Sequence, residues 1–377
     1  MEDKIINLLN QLVTTESIYP NELKIGKLIY NLILKNKIKI KLQNVENNRK
    51  NILAEKGDGR KSILLYGHLD TVGVARGWKT DPFKLTIKND KVYGLGAWDM
   101  KGGLAINILT FLNYHPKNFK LKLALVVDEE NISKGGFKVL RSNFGSDVNC
   151  IISTEPGFHY GLQGITIGRV GRAVFKVEIT CPSKHYIFYE EKFDPTIVAA
   201  NFINELKKFN FKKNKKKQFL FIRKIESSTK GMSIPEKIYL EIDSAILPPT
   251  KNEEILKKLI KKGKEIAKKY KNYFNIKIDF VKRETPFLNS YLIKTNNFYL
   301  KFLSESIKEV TKKEPIPYFR SSIADENIFG SAGYTILGIG PEGGNAHSAN
   351  EWVSLTSLVK LYQILNVFLK KIDENSI

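Results

Sequence analysis

LKLALVVDEEN, residues 121–131, is a nearly continuous apolar run that ends on three consecutive acids. A short run without polar alternation fits a strand covered on both faces of a sheet. Three neighbouring carboxylates at its end repel one another unless cations are present, although an acidic loop in solvent is the plainer reading. Working outward, CIIS (150–153) is a second such run, with Glu155 following in IISTEP (151–156). SILLYGHLDTV (62–72) is a third and ends in His68 and Asp70. A helical pattern opens near Lys101, between the runs at 62 and 121. Strand, helix and strand at this spacing predict an α/β layered domain.

The pattern extends to both ends of the chain. Helices are expected at 3–13 and 21–36, and strands at 38–43, 51–55 and 62–67. After about residue 166 the texture changes: AVFKVEITC (173–181), KIYLEIDSAIL (237–247) and NIKIDFV (275–281) alternate as strands, with helices at 194–209 and 251–272. Two strand–helix units of this kind make a small α+β sandwich. From Glu284 the first texture resumes, with a helix at 297–312, a strand at 334–339 and a terminal helix at 352–371. The chain therefore divides into one domain built from 1–166 and 284–377 and a second, 167–283, inserted in it.

Composition narrows the class. A length of 377 residues exceeds one compact core, and the apolar and charged fractions are those of a globular protein. No apolar run approaches the roughly 20 residues of a membrane span, and MEDKIINLLNQLV reads as a first helix without a cleavage site, so a cytoplasmic protein with no membrane partner is expected. The two cysteines, Cys150 and Cys181, form no CxxC pair and read as small hydrophobes. The net charge of +22 concentrates in 207–219 and 253–273. The second stretch is amphipathic, with Ile255, Leu259, Ile260 and Ile266 on one stripe and lysines on the wet face. Without a zinc-finger, RNA-recognition or helix-turn-helix signature, this predicts a solvated basic surface and no nucleic-acid partner; an acidic macromolecular partner is the other reading.

The chemistry-bearing residues sit at the ends of core elements. His68 and Asp70, at i and i+2, face the same way on an extended strand; they read as a metal ligand with its orienting carboxylate or as a simple hydrogen-bonded pair. Asp99, in LGAWDMKGG (95–103), is a candidate ligand or a helix N-cap. Glu129, Glu130 and Glu155 follow apolar strands, and His347 lies in GPEGGNAHSANEW before the terminal helix. In open α/β sheets such strand ends are where ligand sites form. Carboxylates with two imidazoles and no thiolate suit Zn²⁺, Co²⁺ or Mn²⁺, and an acid shared by two ions is the arrangement of two-metal hydrolysis.

In that order, GHLDTV, W-x-x-DPF (78–83), YGLGAWDMKGG, DEE, STEP and GPEGGNAHSANEWV resemble the dinuclear zinc amidohydrolases. That family includes acetylornithine deacetylase, succinyl-diaminopimelate desuccinylase, aminoacylase and glutamate carboxypeptidase. The resemblance runs from about residue 5 to 370 and implies a zinc-exopeptidase-like catalytic domain, a mixed sheet flanked by helices, with an inserted α+β lid or dimerisation domain. It implies that His68 and Glu155 hold one zinc and Glu130 and His347 the other. Asp99 then bridges them, before an Asp99–Met100 peptide that is cis in many relatives. It further implies Asp70 as the orienting residue, Glu129 as general base, His185 in ITCPSKHYIF (179–188) as oxyanion donor to a neighbouring subunit's site, and a homodimer through the lid. Met232 and Ala245 replace an Asn and an Arg that commonly hold the substrate carboxylate, which leaves Arg320 and Lys184 as candidate replacements and Asp325 as the acid of a substrate-side turn.

The expected function is hydrolysis of the amide of an N-acyl amino acid or small peptide, with two divalent ions, Zn²⁺ or Co²⁺. A deacylase of the acetylornithine or succinyl-diaminopimelate type comes first. The alternatives are a broad carboxypeptidase or dipeptidase, or an enzyme releasing lysine or ornithine from an acidic amino-group carrier protein. A metal-free binding module is disfavoured because all seven site residues are present.

Overall fold

The computed structural model describes residues 1–213 and 216–375; Asn214 and Lys215, inside the lysine-rich stretch 207–219, lie outside the described residues. The chain forms two compact units: Met1–Ile167 with Ile293–Phe319 and Ala324–Ile377, and Gly168–Leu292 with Arg320–Ile323. Among the described residues no helix is long and apolar enough to cross a membrane.

In the first unit a mixed sheet runs in the order Ile40–Glu46, Arg49–Lys56, Lys120–Val126, Ser62–His68, Cys150–Ser153, Thr335–Gly338 and the start of Gly164–Arg169. Ser62–His68 is parallel to both of its neighbours, and every residue in it is buried. This is why these strands read as unbroken apolar runs. Register then decides where the functional residues emerge. His68 pairs with Val126, Tyr66 with Ser153, and Gly338 with Ser153. Parallel strands in that register release Asp70, Glu129–Glu130, Glu155 and the segment after Ile339 at one rim of the sheet.

Flanking helices cover the sheet. Gly103–Asn113 is apolar nearly all round and buried from Gly103 to Phe111, so it lies inside the layer rather than on the surface. Gly103 itself permits this: a Cβ there would meet the Thr154 carbonyl oxygen at 2.2 Å. Asn107 on the same helix donates to the Tyr66 carbonyl at 2.9 Å and to Thr154 Oγ1 at 2.8 Å, tying the helix to two strands. The sequence placed the helix start near Lys101; in the structure Ala97–Gly102 is a separate turn with Asp99 and Met100 off helical geometry. Trp352–Ser354, expected as helix, is instead a strand of a small second sheet with Gly343–Gly344, Lys91–Tyr93 and Thr86–Lys88. The terminal helix follows as Leu355–Glu374.

The second unit has its own sheet, in the order Phe211–Lys213, Lys216–Ser228, Lys237–Ala245, Val174–Thr180, Asn275–Phe280. Phe175, Val177, Ile179, Leu240 and Ile242 from the strands pack with Val198 and Phe202 of Pro195–Leu206 and Ile255, Leu259 and Ile266 of Asn252–Lys269. The 13-residue strand Lys216–Ser228 escaped the sequence reading. It buries Gln218 and Leu220 while Phe219, Phe221 and Ile225 face outward, so its alternation does not separate apolar from polar. The domain boundaries also shift. Arg172 N–H donates to the Leu288 carbonyl at 2.9 Å and Asn252 N–H to Asn289 Oδ1 at 2.8 Å, which keeps 284–292 with the second unit. Val170 N–H donates to the Arg320 carbonyl at 3.1 Å, which brings 320–323 there as well.

Candidate metal centre

His68 ends its strand almost fully buried. Its Nδ1 lies 2.9 Å from the Asp70 backbone carbonyl, whereas the Asp70 carboxylate is 3.7 Å away. The carbonyl rather than the carboxylate therefore orients the ring. With Nδ1–H donating, Nε2 faces Asp99 Oδ1 and Glu155 Oε1, each at 3.4 Å. The buried Nε2 has no hydrogen-bond partner. The Asp70 carboxylate instead accepts the N–H groups of Glu129 at 3.3 Å and Glu130 at 3.0 Å, and burial pushes it up to about 7.

Those two N–H groups belong to a sharp turn. Asp128, first of the three acids, takes a left-handed φ of 76° and is fully buried. Arg49 donates to its Oδ1 at 2.9 Å and grips Glu22 through two further bonds. Lys134 N–H donates to Asp128 Oδ2 at 2.9 Å, and Ser133 N–H to its carbonyl at 2.7 Å. Asp128 thus turns into the protein while Glu129 and Glu130 turn to the rim.

Asp99 lies between the two imidazoles. Its Oδ1 is 3.4 Å from His68 Nε2 and its Oδ2 3.4 Å from His347 Nε2. The Asp99–Met100 peptide is cis. His347, about half exposed and with a left-handed φ of 57°, also sits 3.0 Å from Glu130 Oε1. The potential ligand atoms form the groups His68–Asp99–Glu155, Asp99–Glu130–His347 and His68–Glu129–Glu130, with the atoms of each group within 4.8 Å of one another. Asp99 is common to the first two.

The charges register this crowding. Burial works against ionisation of Asp99, yet His347 and His68 hold it below the usual carboxylate range. Contacts with Asp99 and Glu130 push His347 up to about 11. Burial disfavours the His68 cation, but Asp99 and Glu155 outweigh it and raise the ring well above its ordinary value. Glu129 is driven well above the usual range by burial and by the Glu155 charge. In the metal-free protein the imidazoles act as the cations this acidic cluster demands. The oxygen and imidazole donor set, the orphaned Nε2 and a carboxylate shared between two groups fit a pair of divalent ions.

Of the other sequence candidates, Asp325 borders the cluster and the rest lie elsewhere. Asp325 turns its carboxylate into the core, where it accepts the Tyr66 hydroxyl at 2.5 Å; it reaches Glu129 through its N–H, 3.2 Å from Oε1. Lys184, His185 and Arg320 belong to the second unit. There the Lys184 ammonium sits 3.4 Å over the Phe193 ring, His185 Nδ1 accepts the Ile187 N–H at 3.3 Å, and Arg320 is buried. The sequence reading missed Arg49, Tyr66 and Glu351. Glu351 stands inside the loop 340–352, but nothing local distinguishes it from a surface acid.

Comparison with known proteins gives the chain a family. Residues 64–371 match the family described as peptidase family M20/M25/M40. The succinyl-diaminopimelate desuccinylase of Wigglesworthia glossinidia brevipalpis is 27% identical over 98% of both chains. A metallohydrolase of Methanocaldococcus jannaschii is 29% identical over 85% of this chain and 84% of its own. The aminopeptidase PepT from Bacillus cereus shares the fold with a TM-score of 0.79 at 16% identity, covering 99% of each chain. A dinuclear metal binding peptidase from Bacillus subtilis does so at 0.77 and 15%, covering 99% of this chain and 98% of its own. A match over most of the chain, joined to a rim where two imidazoles share one carboxylate, makes this protein a member of peptidase family M20/M25/M40 and a hydrolase of amide bonds.

Proposed function

We propose that the chain hydrolyses the amide of an N-acyl amino acid, with Glu129 moving the proton. The observation that carries this is the Asp99 carboxylate lying 3.4 Å from each of two imidazoles, with Glu129 in the same cluster. His68, Asp99 and Glu155 would hold one ion and Asp99, Glu130 and His347 the other, Zn²⁺ or Co²⁺ by donor type. When bound, such ions supply Lewis acidity toward a water and the substrate carbonyl. Glu129 accepts the proton of the attacking water as its oxygen bonds to the carbonyl carbon. Glu129 then returns that proton to the nitrogen as the C–N bond breaks. Its raised proton affinity, from burial and Glu155, suits a group that must both take and give. The Asp325 N–H bond to Oε1 fixes which carboxylate oxygen stays free.

The desuccinylase relative, matched over nearly its whole length, favours an N-acyl diamino acid as substrate. We assign Lys184 and Arg320 to the substrate carboxylates, because exposed Met232 and buried Ala245 cannot do this, and His185 to the oxyanion. A homodimer through the second unit is supported by Lys216–Ser228. Beyond Gln218 its outer edge has no paired strand among the described residues, and Phe219, Phe221 and Ile225 stand exposed. Two free cysteines agree with a cytoplasmic site of action. The net charge of +22 favours a second reading, an acidic carrier protein as bearer of the substrate; kcat/KM that falls steeply with salt on carrier-bound substrate, but not on free amino acids, would select it.

The test is a panel of N-succinyl, N-acetyl and dipeptide substrates assayed with Zn²⁺ or Co²⁺ added. Metal-dependent release of the free amine from an N-acyl amino acid is expected. Hydrolysis of dipeptides alone would move the substrate to the peptidase class, and no amide hydrolysis by metal-loaded protein would end the proposal.

A further inference from the structure

Glu351 stands four residues after His347 and is 2% exposed. Its carboxylate accepts three backbone N–H groups: Gly96 at 2.8 Å on Oε2, and Trp98 at 3.0 Å and Asp99 at 2.8 Å on Oε1. Its own carbonyl accepts the Gly94 N–H at 3.2 Å. The segment gripped in this way has irregular backbone. Gly96 has a φ of 73°, and Asp99, at φ −115° and ψ 93°, is not helical. Its N–H groups therefore lack the acceptors that a helix or strand would provide.

The contacts join two loops 252 residues apart in sequence. One carries Asp99 and the other His347, two of the three members of the Asp99–Glu130–His347 group. The His68–Asp99–Glu155 group differs in construction, since His68 ends a fully buried strand and Glu155 stands two residues past the end of another. We propose that Glu351 is a positioning residue for the second cation, pinning the Asp99 backbone to the His347 loop so that the two ligands keep the spacing one ion needs. This rests on the two-ion reading above. Outer partners of metal ligands act in this way, and losing one typically weakens metal binding by about 10–100-fold.

The test uses the full chain, stripped of metal and titrated with Zn²⁺ alone by calorimetry. Wild type should take two ions; fewer than two would refute the two-ion reading itself. In Glu351→Ala the Gly96, Trp98 and Asp99 N–H groups lose their acceptor, so one of the two ions should bind about 10–100-fold more weakly. The other, which shares only Asp99 with the gripped loops, should weaken less, with circular dichroism unaltered. Two wild-type affinities in the folded variant, or joint loss of both ions, would overturn the proposal. Amide exchange on metal-free wild type supplies a readout that does not depend on the variant folding. If Glu351 holds the loop, the Gly96, Trp98 and Asp99 amides are protected before zinc is added; protection that appears only with zinc would assign the positioning to the metal.

Discussion

Glu129 and Glu130 are adjacent in sequence but meet different neighbours. Glu130 Oε1 lies 3.0 Å from His347 Nε2, whereas Glu129 accepts the Asp325 N–H and carries a proton affinity raised by burial and Glu155. Glu129→Gln preserves volume and an acceptor for that N–H but cannot carry the proton. Its kcat should fall by about 10²–10⁴ with little change in KM, while metal analysis still finds two ions; near-normal turnover in the two-ion variant would remove Glu129 from the role. The sequence displayed the three acids but not their division of labour. Asp128 turns inward because Arg49, 79 residues away, waits for it. Glu351 escaped notice for a different reason: its partners are backbone N–H groups, which leave no side-chain signature in a sequence.

The turn that aims Glu129 is held at its far side by a guanidinium between two buried carboxylates, Glu22 and Asp128. Replacing Arg49 by Met leaves both acids without their counter-charge, a change that typically destabilises by about 3–5 kcal/mol. Chemical denaturation of Arg49→Met should show a loss of that order; a loss below about 1 kcal/mol would mean that the acids find other partners. At the other end of the same strand, Lys56 places its ammonium 3.2 Å from the Leu112 carbonyl, and burial lowers it to about 8 from 10.5. A base depressed on folding weakens the folded state as pH falls through its folded value, and the penalty disappears above its unfolded value. Lys56→Met should therefore raise the melting temperature at pH 7, and the margin over wild type should shrink between pH 8 and 10.5. A margin independent of pH would assign the effect to packing. Strands such as Ser62–His68 were legible because parallel pairing buries both faces and leaves an apolar run. Lys216–Ser228 was not, because Gln218 faces in while Phe219 and Phe221 face out. The return at residue 284 was misplaced because the bonds that keep 284–292 in the second unit run through backbone groups of Leu288 and the Asn289 side chain.

At the scale of the molecule, each compact unit has its own apolar core, and all five candidate ligands belong to the first. Metal binding should therefore stabilise the units unequally. An ion bound only by the folded state adds about 2.7 kcal/mol at a hundredfold excess over Kd, and for a unit of this size each kcal/mol moves the melting temperature by about 2–4 °C. Scanning calorimetry of the full chain, with chelator and then with Zn²⁺, should show one transition rising by at least about 5 °C per bound ion. A second transition, from the unit formed by Gly168–Leu292 and Arg320–Ile323, should stay in place. A single transition that moves as a whole would mean that the two cores unfold cooperatively. Two transitions that both ignore zinc would mean that the acids and imidazoles at the rim bind no ion tightly, and the reading of Asp99 as a shared ligand would fall with them.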